Sequence, residues 1–144
     1  MKIYKCLTLL VLMLLTGITV KANIKTDTNK FTIDHAVKTY TDALIHGKLA
    51  GLKEVIDESA EFSMLQGKEQ NSYSKRKMLD FFLLFKGTNM DCTTTNKVIE
   101  RCGEIAVIKL DLLFKRFTRS DYVTIVHKDD KWKIIYVYSV FSNT

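Results

Sequence analysis

Asp111 stands between Lys109 and Leu113 in a run that alternates apolar and polar residues. A carboxylate there has two readings. Facing a concave pocket, it would be a buried charge with a shifted pKa, suited to proton transfer. Facing outward, it would be a cross-strand partner for a lysine, which the general exposure of Asp favours. Trp132, Tyr136 and Tyr138 fall at period two with Ile134 in the last extended run. They would either floor an apolar pocket or pack a dimer interface. The three histidines each have a structural explanation. His35 follows Asp34 at a helix start, and His127 flanks the charged turn Lys128 to Lys131. His46 falls in a last helical turn, where a cation meets the negative end of the helix dipole. None stands at nucleophile or metal-ligand spacing. Cys92 and Cys102 would lie roughly 30 Å apart if residues 92 to 102 form one strand at ~3.3 Å per residue. A disulfide needs Cα atoms within about 7 Å, so two separate thiols are expected. There is no Gly-rich phosphate loop, no Ser-His-Asp set and no Cys–His pair at useful spacing. No metal and no cofactor is expected.

The elements that must carry these residues can be read from periodicity. Ile33, Ala36, Val37, Tyr40 and Leu44 mark one face of a helix, with Thr32 as its cap and Gly47 at its end. A shorter helix is expected over 49–56 and a short strand over 60–65, followed by a loop over 67–73. Ser74 is placed to cap a third helix ending near Lys86, before Gly87. Its body, residues 78–85, is apolar nearly all round, so it should be covered on more than one side, by the domain or by a partner subunit. Strands follow over 93–101, 105–117, 122–127 and 132–141, with a turn at Gly103-Glu104. In the second of these, Ala106, Ile108, Leu110, Leu112 and Phe114 share one face, while Lys109, Asp111 and Lys115 share the other. No repeat or linker interrupts the chain, which reads as one α+β domain over residues 32–144.

The first residues are of a different kind. Met1 to Cys6 carries two lysines and no acid, Leu7 to Val20 carries no charge, and Val20-Lys21-Ala22 places small residues around a cleavage point. This is the pattern of a secretory leader, and the uncharged run is shorter than the ~20 residues a membrane span needs. Residues 1–22 are expected to be removed and 23–31 to form a flexible lead-in. The mature chain would be exported to a bacterial periplasm or secreted, with no membrane attachment. Cys6 precedes the apolar run, so it does not mark a lipoprotein acylation site. Of the formal charge of +6, the leader supplies three lysines, leaving 19 basic and 16 acidic residues in the mature chain. Those charges are mixed and form no basic face with stacking aromatics, so nucleic acid is not an expected partner. With 144 residues, 47% hydrophobic, 26% charged and no proline, a disordered, collagen-like or disulfide-dense chain is excluded.

The order of elements, with the stretches 36–48, 52–62 and 129–134, resembles the nuclear transport factor 2-like superfamily. Within it the chain is most similar to the small exported proteins called putative lumazine-binding. The resemblance implies three N-terminal helices packed on a curved, mainly antiparallel sheet, a cone that can hold a small apolar or aromatic molecule, and a homodimer. The superfamily includes ketosteroid-isomerase-like enzymes with a tyrosine, a carboxylate base and a second carboxylic acid. Tyr40 matches that tyrosine. The base falls at or beside Met64, which cannot take a proton, and the second acid falls near Val123 or Thr124, neither of them acidic. The function implied is a non-catalytic binding or interaction module, with Tyr40, Asp111, Trp132, Tyr136 and Tyr138 as candidate pocket residues. The alternative is a pocket enzyme of isomerase or dehydratase type, with Tyr40 and Asp111 as acid and base.

Overall fold

A computed structural model describes residues 32–143; the expected leader and lead-in, with Cys6, lie outside the described residues. The Thr32 hydroxyl accepts a hydrogen bond from the His35 amide at 3.1 Å and starts α1 (Ile33–His46). Ala36, Val37, Tyr40, Ala43 and Leu44 form its buried stripe. Gly47 ends it in the left-handed region at φ 57°. The helix expected over 49–56 is a single turn, α2 (Leu52–Val55), because Ile56 already pairs with Ile134 and opens β1 (Ile56–Gln66).

The expected loop over 67–73 is a correction. Only Gly67 and Lys68 turn, and Glu69–Ser74 forms β2, paired antiparallel with β1 from Glu61 to Gln66. Its polar sequence hid it, since an exposed edge strand shows no alternation. Ser74 precedes α3 (Lys75–Leu84), yet its side chain makes no capping bond. Lys75 ties this start to β1 instead, donating to the Ile56 carbonyl and to Glu58, each at 2.7 Å. On α3, Met78 and Phe82 are buried, but Leu83 and Leu84 are 59% and 77% exposed. Among the described residues, then, the helix is covered along one stripe rather than on several sides.

β3 (Thr93–Cys102) and β4 (Ile105–Leu113) form a hairpin. The strand expected over 105–117 is broken after Leu113, where the Phe114 amide donates to the Phe117 carbonyl at 2.9 Å. β5 (Phe117–Lys128) therefore begins well before Tyr122, and β6 (Lys131–Asn143) closes the chain. The six strands form one curved, open sheet in the order β2-β1-β6-β5-β4-β3. Every neighbour is antiparallel except β1 beside β6. The inner face carries Ile108, Val123, Val137 and Phe62 in one buried row, packed beneath the helices.

One irregularity decides what the last strand displays. Ile125 pairs with Ile134 but Thr124 pairs with Tyr136, so Ile135 is an extra residue in a β-bulge. Alternation is reset at that point. Trp132 and Ile134 point inward before the bulge, Val137 and Ser139 after it, and Tyr136 and Tyr138 point outward. The single face expected for Trp132, Ile134, Tyr136 and Tyr138 is thereby split. Cys92 and Cys102 are both free thiols, at opposite ends of β3.

Candidate functional site

The polar group most deeply buried in the molecule is a chain of side chains from α1 to β6. Tyr40 and Asp121 are both 0% exposed, and the Tyr40 hydroxyl donates to Asp121 Oδ2 at 2.9 Å. Arg119, two residues earlier on the same face of β5, donates through Nε to Oδ1 at 2.7 Å and through Nη2 to Oδ2 at 3.0 Å. Nη2 also reaches Ser139 Oγ at 3.2 Å. Asp121 thus receives three donors on two oxygens, and both oxygens act as acceptors. Burial, reinforced by the adjacent Asp121 charge, pushes the Tyr40 phenol well above its ordinary value. Burial works against the Arg119 cation, but the Asp121 carboxylate and Tyr40 outweigh it and hold that pKa above the ordinary one. Around this network Phe82 meets the Tyr40 ring edge-on and Phe62 stacks beside it.

Arg119 is also the floor of a cavity of about 430 Å³, within the range of about 300–1,000 Å³ usual for small-molecule sites. Its walls are Met64 from β1, Tyr73 from β2, Met78 and Phe81 from α3, and Phe141 from β6. Lys77 and Gln66 are its other polar lining groups. The Arg119 guanidinium lies 5.8 Å from the Phe141 ring centre, a cation–π contact that helps hold it flat. No carboxylate or imidazole lines the cavity. The site therefore offers apolar surface and hydrogen-bond donors. The buried carboxylate, Asp121, does not line the cavity and is already engaged by three donors.

The residues singled out in the sequence are dispersed by the fold. Tyr40 lies in the polar network but does not line the cavity. Asp111 is on the outer face, bonded to Lys109 Nζ at 3.0 Å and to the Ser120 hydroxyl. Burial alone would raise its carboxyl; the bonds from Ser120 and Lys109 outweigh that and hold it below the ordinary value. Tyr136 and Tyr138 stack on each other on the same outer face. Tyr138 lies in the row Lys109, Tyr122, Tyr138, beside the inward row of Ile108, Val123 and Val137. Trp132 is half-buried at the start of β6, with Arg101 over its ring at 5.4 Å and His127 beside it at 5.3 Å. Phe141, at the cavity, is nine residues further along that strand, roughly 30 Å away. Among the histidines, His46 meets Asn89 and His127 pairs with Glu104. No group of three potential metal ligands occurs among the described residues.

Sequence reasoning missed Arg119 and Asp121. A carboxylate, Asp121, lies on the strand where the second acid was sought, two residues before Val123 and on its face. The available signal was Arg119, Asp121, Val123 and Ile125 at period two, a strand face running from charged to apolar. Met64, placed at the base position, does line the cavity.

Comparison with known proteins agrees with this geometry. An NTF2-like protein of unknown function from Silicibacter pomeroyi superposes with a TM-score of 0.62 at 17% identity, covering 77% of this chain and 92% of its own. A second NTF2-like protein of unknown function, from Shewanella baltica, gives 0.62 at 10% identity over 77% and 90%. A "putative ketosteroid isomerase" from Parabacteroides distasonis gives 0.56 at 14% identity over 81% and 92%. At these identities the likeness is one of fold. No curated protein sequence matches the chain. The family described as "Putative lumazine-binding" matches residues 28–139. The chain belongs to that family, on a nuclear transport factor 2-like fold.

Proposed function

We propose that the protein is a non-catalytic binding module whose cavity over Arg119 takes one small, largely apolar molecule. The observation that carries this reading is the state of the buried acid. Proton-transfer chemistry of the isomerase kind needs a base that faces the substrate and a neutral acid that can donate to the developing oxyanion. Here Asp121 accepts three hydrogen bonds from Arg119 and Tyr40, so both its oxygens are engaged within the fold and it does not line the cavity. The Tyr40 hydroxyl donates to Asp121, and the base position that the resemblance implies falls at or beside Met64, which cannot take a proton. What faces the cavity is suited to holding a ligand. Native mass spectrometry of the purified protein tests the reading. A small molecule retained by the chain, and lost on filling the cavity with Met64→Trp, is the expected result. Turnover of a β,γ-unsaturated ketone that falls at least tenfold in Tyr40→Phe would overturn it in favour of the isomerase reading.

The amino-terminal pattern supports export with removal of residues 1–22, checked by an intact mass that starts at Asn23. The outer sheet face is where a second copy would pack. Tyr122, Tyr136 and Tyr138 give it apolar area, and Lys109 lies next to Asp111 on it. A two-fold axis through that point would set Lys109 of each copy against Asp111 of the other, the self-complementarity an isologous interface requires.

A further inference from the structure

We infer that the ligand of the Arg119 cavity is an amphiphile with a single carboxylate head on an apolar body. This rests on the binding reading above and goes further, to the charge and shape of what is bound. Two cations, Arg119 and Lys77, line the cavity and no acid does. Asp121 offsets the Arg119 charge from behind, fully buried and with both oxygens already engaged. Of the three guanidinium nitrogens, Nε and Nη2 are occupied by Asp121 and Ser139. Arg119 is itself a lining residue, so the cavity meets a cation whose orientation is already fixed by its neighbours.

Three physical consequences select the ligand. A wholly apolar ligand would cover the cations Arg119 and Lys77 without offering either an acceptor, which is costly. A cationic ligand would face two like charges. An anion meets a donor already held in place by Asp121, Ser139 and the Phe141 ring, in a setting where attraction is less screened than in water. With Nε and Nη2 already engaged, a single compact head fits better than a ligand needing the full guanidinium fork. Lys77, on the exposed face of α3, adds a second positive charge at the mouth. The body of the ligand lies against Met64, Met78 and Phe81, and the two methionines can adapt to an alkyl chain or a ring.

The test is calorimetric titration of the purified chain with three probes that share a decyl body: decanoate, decan-1-ol and decyltrimethylammonium, each below its micelle concentration. Decanoate should bind at one site per chain, at least tenfold tighter than decanol, with the ammonium weaker than both. Lys77→Met, an exposed position, should narrow the decanoate preference about threefold. The double variant Arg119→Met/Asp121→Asn, which removes both buried charges together and strands neither, should abolish it. Equal or tighter binding of decanol would overturn the carboxylate assignment while leaving the binding reading in place. Absence of saturable binding by all three would overturn both. If the double variant does not fold, Lys77→Met decides: an unchanged decanoate preference there overturns the assignment.

Discussion

Tyr40 illustrates how one side chain can look catalytic and be structural. Its position on the inward stripe of α1 is legible from helical period alone, and its hydroxyl does meet an acid. That acid, however, is 81 residues away and is paired with Arg119, whose only local sign of burial is sharing a strand face with Val123 and Ile125. Arg119 and Asp121 at period two resemble a surface ion pair, and only the tertiary arrangement turns them inward. Tyr40→Phe should therefore cost about 1.5–3 kcal/mol of stability in urea unfolding, the loss of one hydrogen bond to a buried charge. Decanoate affinity should stay within about twofold, because Tyr40 does not line the cavity. A tenfold loss of affinity with stability unchanged would place Tyr40 in the binding site itself.

The elements were legible wherever a period was sustained, and not where an irregularity reset it. The inward face of β4 follows directly from its alternation. Tyr136 and Tyr138 do not follow from theirs, because the bulge at Ile135 moves them to the other face. Nothing in the residue types at 134–136 announces that extra residue, and β2 was hidden by a polar edge sequence. Gly47, in contrast, was read correctly as the end of α1, and the structure shows why it must be glycine. A Cβ there would stand 2.2 Å from the Phe85 carbonyl oxygen and 2.4 Å from the Gly87 nitrogen, at φ 57°. Gly47→Ala should lower stability by at least about 3 kcal/mol, combining left-handed strain of about 1–2 kcal/mol with a backbone clash. Gly67→Ala, at φ 65° with nothing within 4 Å, should show the strain alone, about 1–2 kcal/mol. Equal losses in thermal or urea unfolding would contradict the packing of α1 against the turn after α3.

Asp57, near the start of β1, gives that strand a pH signature. The Ser59 amide and hydroxyl donate to it at 3.0 and 2.7 Å, and with Lys128 nearby they lower its carboxyl from 3.8 to about 2. The folded pKa is the lower one. The stabilisation is therefore complete above the unfolded value of 3.8 and is lost as pH falls toward about 2. Its size is on the order of 2 to 2.5 kcal/mol. Melting temperatures of Asp57→Asn should fall less steeply than those of the parent between pH 4 and 2, and parallel curves would contradict the assignment.

For the molecule as a whole, the class of fold was accessible from the order of elements and the resemblance they carry. The cavity was not, because its lining comes from five elements and its floor from a residue no motif marked. The outer sheet face leads to a further expectation. Sedimentation velocity should show a dimer at micromolar concentration, and Tyr138→Lys, outward-facing and away from the cavity, should shift it to monomer without loss of fold. A parent chain that stays monomeric at high concentration would remove the proposed interface.

The binding reading itself is tested most directly by methyl NMR during a decanoate titration. Met64 and Met78 line the cavity, whereas Met90 packs elsewhere against the core, so the methionine methyls serve as built-in reporters. The Met64 and Met78 signals should shift together and saturate at one equivalent while Met90 stays still. Met64 and Met78 signals that remain unmoved at saturating probe would contradict a ligand site above Arg119.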